Sequence, residues 1–419
     1  MATKAYTPYR ILKYAIGAML VFAFAVRLWG FVHEYLILTP INQWGFTEYL
    51  INYQGGFVRR GIIGEGLLSL AKTGLSGDTI VNLIRAVSVA CYAAMLAFFL
   101  YQFRRHRWNW WIILAPVFMG YVICIVRKDF MQELLLIGIL MMMRGSPRSS
   151  CHARLWGATA LCVLELFIHE AIIFWGMPIV GLLIATSPAS KWEKTAAISI
   201  IAATFAILSL FKGNLEAAWS ITESWQPWFP DLQHDMWNSI GAIGWNLGWT
   251  AHFHFTSNFC SPTIGWMKLP LQIAAFSCYA YMICNFVYAF SPRSSARETL
   301  RLHLTAVYIL TAACMIPLFT VLSVDYSRLY QYLAVTSFAA VIVIPGARLD
   351  RALPRCLRLL TVRITGIVDR YFTPSKGIMV ALLFLADING IHHPYDPCVG
   401  TLVSLCQGIT TIVQKIAGL

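Results

Sequence analysis

Charged residues are scarce in this chain of 419 residues. Asp, Glu, Lys and Arg together make up 12% of it, against about 25% in soluble proteins. Hydrophobic residues reach 58%, and the mean hydropathy is +0.64. Apolar stretches long enough to cross ~30 Å of hydrocarbon recur along the whole sequence. The composition therefore excludes an ordinary soluble protein and predicts an all-α integral membrane protein with membrane lipids as partners.

Acidic residues are scarcer than basic ones, since 19 Asp and Glu face 32 Lys and Arg, for a net charge of +13. Such an excess can attract nucleic acid. Here most of it lies in blocks between apolar stretches, and cytoplasmic loops retain such blocks facing anionic lipid. We therefore expect a cytoplasmic N-terminus and no nucleic-acid partner. The blocks are 4–13, 104–107, 144–154, 191–194, 293–301 and 348–376.

Two kinds of short pattern are also absent. The eleven cysteines contain no Cys-x-x-Cys pair and no zinc spacing. His252 and His254 lack a clear third ligand, so we predict neither a metal nor a cofactor. No Asn-x-Ser/Thr glycosylation site occurs, which favours a bacterial envelope over a glycosylating compartment. The expected location is the bacterial inner membrane, with many spans.

The apolar stretches predict about eleven transmembrane helices in one membrane domain over residues 1–419. The positive blocks place the intervening segments outside, including a Trp-rich loop at 212–268 between the seventh and eighth helices. The stretch 155–187 is too long for one helix, so it turns at His169-Glu170 on the outer side. The predicted spans are 12–32, 79–101, 109–126, 130–143, 155–168, 171–187, 195–211, 269–290, 304–323, 329–345 and 376–390.

Two adjacent arginines, Arg59 and Arg60, break the positive-inside pattern in the first outer segment. They stand in Gly55-Gly-Phe-Val-Arg-Arg-Gly61, where glycines allow sharp turns and close approach to a ligand. Guanidinium groups bind phosphate or carboxylate bidentately. The motif predicts an anion clamp, and the alternative is a snorkelling pair at the membrane interface.

Two further charged turns are expected on the same side. Arg127-Lys128-Asp129 is a second cationic site, and its alternative interpretation is ion pairing at the start of a helix. Asp325 and Arg328 are three residues apart and can pair across one helical turn. Because these turns and the double arginine share a predicted membrane depth, we expect them to line one cavity.

Carboxylates and a histidine on the outer side supply candidates for a general base. His169 and Glu170 are flanked by apolar residues, and ionisable groups at that depth are functional by default. Glu34 and Glu48 precede the double arginine. One well-placed base contributes typically about 10²–10⁴-fold to a rate. We rank His169-Glu170 slightly above Glu48; an interhelical hydrogen bond and a solvated loop carboxylate are the respective alternatives.

The predicted loop 212–268 is rich in tryptophan. Aromatic faces beside carboxylates are what a sugar-binding groove uses, and an interfacial aromatic belt is the alternative. Trp237, Trp245 and Trp249 are the residues that we expect to face the substrate.

The double-arginine motif, His169-Glu170, Asp325-Tyr-Ser-Arg328 and the layout of the whole chain resemble bacterial envelope-polysaccharide enzymes. These are the GT-C type glycosyltransferases, the Wzy-like polymerases and the O-antigen ligases. The resemblance implies outer-face transfer of a sugar or glycan from a polyprenyl phosphate or diphosphate to a glycan or lipid acceptor. It implies an acidic catalytic residue in the first outer segment, although Asp-x-Asp is absent. A transporter or flippase of an anionic lipid-linked glycan is the alternative, although we see no internal repeat.

Overall fold

A computed structural model describes residues 6–33, 41–108, 110–114, 126–145, 151–260, 266, 268–286 and 294–371. Within these ranges the chain is helical and contains no strand, which confirms the predicted all-α class. The predicted span 376–390 and the candidate Glu34 lie outside the described residues. The first helices are α1 (Tyr6–Phe31), α2 (Trp44–Leu50), α3 (Gly61–Lys72), α4 (Gly77–Arg105), α5 (Asp129–Met143), α6 (Cys151–Ile168), α7 (Ile172–Trp175) and α8 (Met177–Ala185).

The second half of the chain continues the same pattern. Its helices are α9 (Lys191–Leu210), α10 (Leu215–Trp225), α11 (Leu247–Phe259), α12 (Lys268–Asn285), α13 (Ser295–Cys314), α14 (Tyr326–Val343), α15 (Gly346–Ala352) and α16 (Arg355–Tyr371). Short 3₁₀ segments lie at Trp110–Leu114 and Gly241–Gly244, and a π segment lies at Leu318–Leu322.

Three described helices, α4, α6 and α9, are long and apolar enough to cross a membrane. A fourth candidate is the pair Arg328–Val343 and Gly346–Ala352, which is bent by 118°. Judged by length and composition, the described helices thus account for only part of the predicted set of about eleven spans. Length is one reason, since α5 has 15 residues, and buried polar groups are another, since α13 contains Arg301 and His303.

Helix starts follow local capping chemistry. Ser190 and Glu193 form a capping box at α9, in which each side chain accepts the other residue's backbone N–H. Ser76, Asn214 and Asn246 cap α4, α10 and α11 in the same manner by accepting backbone N–H groups. These side chains satisfy amides that the first helical turn leaves unpaired.

Two stretches differ from the sequence prediction. The segment 212–268, expected as a long loop, contains α10 and α11, which pack as part of the protein. The expected span 171–187 is divided into α7 and α8 at Gly176, next to Pro178. Proline cannot donate a backbone N–H, so a break just before it is the expected outcome.

The helices carry their charged termini to two ends of a bundle. Helix α5 begins at Asp129 beside Arg328 and ends near Arg144, and α6 returns to His169. We call the end that holds Glu48, Arg60, Lys128, His169 and Arg328 the charged end. We call the opposite end, with its connecting loops, the basic end; it holds Arg154, Lys194, Arg301, His303 and Arg348. Between them lies an apolar core that includes Trp175, stacked on Tyr332 at 4.6 Å.

Candidate functional site

The segment between α2 and α3 places the double arginine. Gly56 and Arg60 both adopt left-handed backbone conformations, with φ of +97° and +67°. A residue with a side chain rarely adopts this conformation, so Arg60 is held there by its surroundings. The flanking glycines serve packing: a Cβ on Gly55 would lie 2.6 Å from the Ala217 backbone, and one on Gly61 2.4 Å from the Tyr53 ring. Gly56 differs from both: it makes the sharp turn, and among the described residues no atom lies within 4 Å of the position its Cβ would take.

Both arginines bind the carboxylate of Glu170. Arg60 donates from Nε to Oε2 at 2.8 Å and from Nη2 to Oε1 at 2.6 Å, which is a bidentate fork. Arg59 donates from Nη1 to Oε1 at 2.8 Å. Burial alone would raise the pKa of Glu170, but the two guanidinium groups outweigh it and hold that pKa well below its usual range. The Glu170 carboxylate therefore occupies the fork as an anion.

Lys128 supports the strained residue. Its side chain is fully buried, and Nζ donates to the carbonyl oxygen of Arg60 at 3.1 Å. Nζ also lies 5.8 Å from the centre of the Tyr49 ring. Burial lowers the pKa of Lys128 to about 8. Lys128, which the sequence predicts as a substrate ligand, thus holds the backbone that carries the arginine fork.

His169 and Glu48 form the second half of the charged end. The backbone N–H of Ala171 donates to Nδ1 of His169 at 3.2 Å, so the proton of the neutral ring lies on Nε2. Nε2 faces Oε1 of Glu48 at 3.4 Å. Burial, reinforced by Arg60, lowers the pKa of His169 to about 3. The ring is therefore neutral at neutral pH and presents a hydrogen-bond donor to Glu48.

Glu48 has an unsatisfied oxygen. The residue is 1% exposed, and among the described residues nothing donates a hydrogen bond to its Oε2. Arg60 Nη1 lies 3.8 Å from the other oxygen. Burial would raise the pKa of Glu48, but the cations Arg328, Lys128 and Arg60 counteract it, and that pKa lies below its usual value. A buried carboxylate oxygen without a partner is costly.

The two other charged turns pair with each other. Arg127 donates to Asp325 at 2.8 Å, and Arg328 donates to both oxygens of Asp129 at 2.6 and 2.8 Å. The expected pairing of Asp325 with Arg328 along one helix is present only as a longer contact of 3.6 Å. The shortest pairs thus connect α5 with the start of α14, beside the longer local contact between Asp325 and Arg328.

The charged turns and the arginine segment form one network rather than separate packing sites. Lys128 links the second turn to Arg60, and Glu170 links Arg60 to the tip of the α6–α7 hairpin. One helical turn deeper, Gln331 donates to Glu133 at 3.0 Å, and Gln132 donates to the His169 carbonyl at 2.8 Å. The sequence predicts that the three motifs line one cavity, and the contacts join them into one network of paired side chains.

The three tryptophans of the 212–268 segment form a cluster of their own. Their ring centroids are 5.9 Å apart for Trp237 and Trp245, 6.2 Å for Trp237 and Trp249, and 5.3 Å for Trp245 and Trp249. Trp237 is 49% exposed and Trp249 is 40% exposed. Trp245 packs on Trp44 at 5.9 Å, one turn before Glu48 on α2. The cluster is thus an open aromatic surface joined to the helix that carries the unsatisfied carboxylate.

Several polar residues of the network were not predicted from the sequence, and Tyr332, Gln132 and Gln331 are examples. Tyr332 donates to Asp129 and accepts from Arg328, and Gln132 supports the His169 backbone. Tyr332 follows Arg328 by four residues, so the helical period would have placed both on one face. Nothing in the sequence distinguishes Gln132 from an ordinary polar residue of a helix.

Comparison of the chain with protein-family models, curated proteins and solved structures gives no match. Within the described residues, no group of three His, Cys, Asp or Glu side chains is arranged to hold a metal ion.

Proposed function

We propose that this protein transfers a sugar or glycan from a polyprenyl phosphate or diphosphate donor to a hydroxyl acceptor, as a membrane glycosyltransferase or polysaccharide polymerase. The observation that supports this most directly is the buried Glu48 carboxylate. Its Oε2 receives no hydrogen bond from the part of the chain that the structure describes, and it stands in one network with the Arg59 and Arg60 guanidinium groups. A base and an anion clamp are the two parts that such a transfer requires. The site would act without a metal.

In this reaction the acceptor hydroxyl donates to Oε2 of Glu48. As the acceptor oxygen forms its bond to the anomeric carbon, its proton passes to Glu48. The bond between that carbon and the phosphate oxygen breaks, and the phosphate leaves with the electron pair. Arg59 and Arg60 stabilise the leaving phosphate, because guanidinium groups match phosphate bidentately. His169 keeps the Glu48 carboxylate oriented through its Nε2–H.

Glu170 has a different role in this proposal. Three hydrogen bonds from Arg59 and Arg60 already engage its carboxylate. It therefore serves as an internal anion that the donor phosphate replaces, and Glu48 takes the role of base. This reverses the ranking that the sequence favoured, and the reason is the geometry of the arginine fork.

We further propose that the charged end faces outward across the bacterial inner membrane and that the basic end is cytoplasmic. This is the orientation that the positive-inside rule favours. We propose the full set of about eleven membrane spans as well. With the charged end outside, the reaction would belong to envelope or exopolysaccharide synthesis.

Single cysteines in a cysteine-free background test this orientation. Cys356, restored alone, is exposed at the basic end, and Met236→Cys is half exposed near the Trp cluster. We expect membrane-impermeant maleimide to label Met236→Cys in intact spheroplasts and Cys356 only after lysis. The reverse pattern would exclude the proposed orientation.

Substitution of Glu48 tests the chemistry. Glu48→Gln keeps the shape and removes the base, so glycan assembly should fall by about 10²–10⁴-fold at matched expression. Glu65→Gln is the matched control, since Glu65 lies in the same segment and accepts from the Tyr53 backbone at 3.0 Å. Activity equal to wild type in Glu48→Gln, with an intact Glu65→Gln control, would rule out this base.

Transport of an anionic lipid-linked glycan is a second candidate, favoured by the divided helix at Gly176 and the 118° bend after α14. Discontinuous helices are common around transporter binding sites. The two functions respond differently to Glu48→Gln, because a transporter has no base step. Vesicles that still translocate a fluorescent polyprenyl-phosphate glycan but form no new linkage would support transfer, whereas loss of translocation alone would support transport.

A further inference from the structure

The basic end contains an open cleft that the proposed transfer does not use. It holds ≈ 300 Å³ of free space, including its mouth, at the junction of α5, α6, α8 and α15. Arg154, Ser187 and Arg348 line it together with Gly145, and Met143 and Leu155 form an apolar wall.

Two guanidinium groups share this cleft. Arg154 Nη1 donates to the carbonyl of Gly145 at 3.0 Å. Arg348 Nη1 lies 3.6 Å from the position that a Cβ on Gly145 would take. Both arginines are half-buried, and within the described part of the chain neither forms an ion pair with a carboxylate. Both guanidinium groups therefore stand beside Gly145 at the edge of the cleft.

Ser187 adds an independent indication of a ligand. Its side chain is 6% exposed, and among the described residues its Oγ has no hydrogen-bond partner. Its carbonyl accepts from Lys194 Nζ at 3.2 Å, so a third cation lies at the same wall. A buried hydroxyl normally has a partner. Here an acceptor entering the cleft would supply it.

We propose that this cleft binds a phosphate group, with Arg154 and Arg348 as the charged ligands and Ser187 Oγ as a neutral donor. Guanidinium forks are well suited to phosphate oxygens. The apolar wall of Met143 and Leu155 would accommodate the glycerol part of a phospholipid headgroup. The same chemistry would also admit free phosphate, and the experiment distinguishes these two sources.

The test uses the full-length protein in neutral detergent, with affinity measured by titration calorimetry. The probes are dihexanoyl phosphatidylglycerol, inorganic phosphate and, as a control without phosphate, dihexanoylglycerol. Arg348→Ala and Ser187→Ala should each weaken phosphatidylglycerol binding, Arg348→Ala by about tenfold or more, since a hydrogen bond to a charged group is lost. Arg351→Ala is the matched control, because Arg351 is exposed on the same short helix and donates to Ala347.

Tighter binding of phosphatidylglycerol than of phosphate identifies a lipid headgroup, and the opposite order identifies a soluble phosphate; both support the site. Equal binding of dihexanoylglycerol, no binding of any probe, or equal losses in Arg348→Ala and Arg351→Ala would overturn it. If Arg348→Ala does not fold, Ser187→Ala decides alone. It removes only an unpaired hydroxyl and is expected to leave stability nearly unchanged.

Discussion

The two ends of the helix bundle treat positive charge differently. At the charged end, Arg60 and Arg328 each form a fork on a carboxylate whose side chain is no more than 10% exposed. At the basic end, Arg154 and Arg348 share an open cleft, and the carboxylate bound by Arg301, Asp369, is 30% exposed. Buried cations are paired at both ends, but at the charged end the anion is buried as well, whereas the Asp369 carboxylate at the basic end keeps contact with water.

This difference separates two kinds of anion site. At the charged end a ligand must displace an existing carboxylate, Glu170, so binding is an exchange of one anion for another. At the basic end, the cleft has no such internal anion among the residues described. A phosphate there would neutralise charge on Arg154 and Arg348.

Removal of a carboxylate should cost far more at the charged end. Asp129→Asn leaves Arg328 buried without its fork, and we expect the free energy of unfolding to fall by about 3–5 kcal/mol. Asp369→Asn should cost less, because its carboxylate is 30% exposed and Glu298 remains 3.7 Å from the buried Arg301. Denaturant unfolding in detergent measures both. Equal losses would mean that the two ends do not differ in desolvation.

The two arginines of the clamp should differ in importance. Arg60 contributes a fork and is 19% exposed, whereas Arg59 contributes one hydrogen bond and is 33% exposed. We expect transfer to fall by about a hundredfold in Arg60→Ala and about tenfold in Arg59→Ala. Arg60→Lys should recover little, since an ammonium lacks the fork. Lys72→Ala, an exposed cation at the end of α3, is the control, and full activity of the Arg59/Arg60 double alanine variant would refute the clamp.

The Trp-rich segment offers a comparison within itself. Trp237 is half exposed. Trp237→Ala should raise KM for the glycan substrate by about tenfold, because one aromatic stacking contact is lost. The free energy of unfolding should change little. Trp225 is fully buried and donates to the Leu50 carbonyl at 2.7 Å, so Trp225→Ala should destabilise by about 3–5 kcal/mol. An unchanged KM in Trp237→Ala would reduce the cluster to an interfacial belt.

The pH profile should show the smallest effect. A base must be deprotonated, so its activity falls as pH drops through its pKa. The pKa of Glu48 is lowered from 4.5, and burial lowers that of His169 to about 3. The rate should therefore stay flat between about pH 7 and 5, whereas an unperturbed histidine base would lose activity through about pH 6.5. A decline centred near that value would show that another group is the base.

Helix positions were largely predictable from the sequence because they follow local rules. The expected span 79–101 lies within Gly77–Arg105, and 130–143 corresponds to Asp129–Met143. The break at Gly176 was missed because the stretch around it stays apolar, so hydropathy carries no signal there. The helices of the 212–268 segment were missed because its tryptophans suggested an interfacial loop, although asparagine caps at 214 and 246 were readable.

The sequence by itself determined the helical class, the scarcity of charge along the apolar stretches and the division of charge between two kinds of connecting segment. These properties follow from composition and from the helical period, which act within a few residues. Only the tertiary structure decided which charges pair. Arg60 meets Glu170 across 110 positions and Arg328 meets Asp129 across 199. Such pairs form because packing removes the charges from water together, and no local pattern encodes that partner choice.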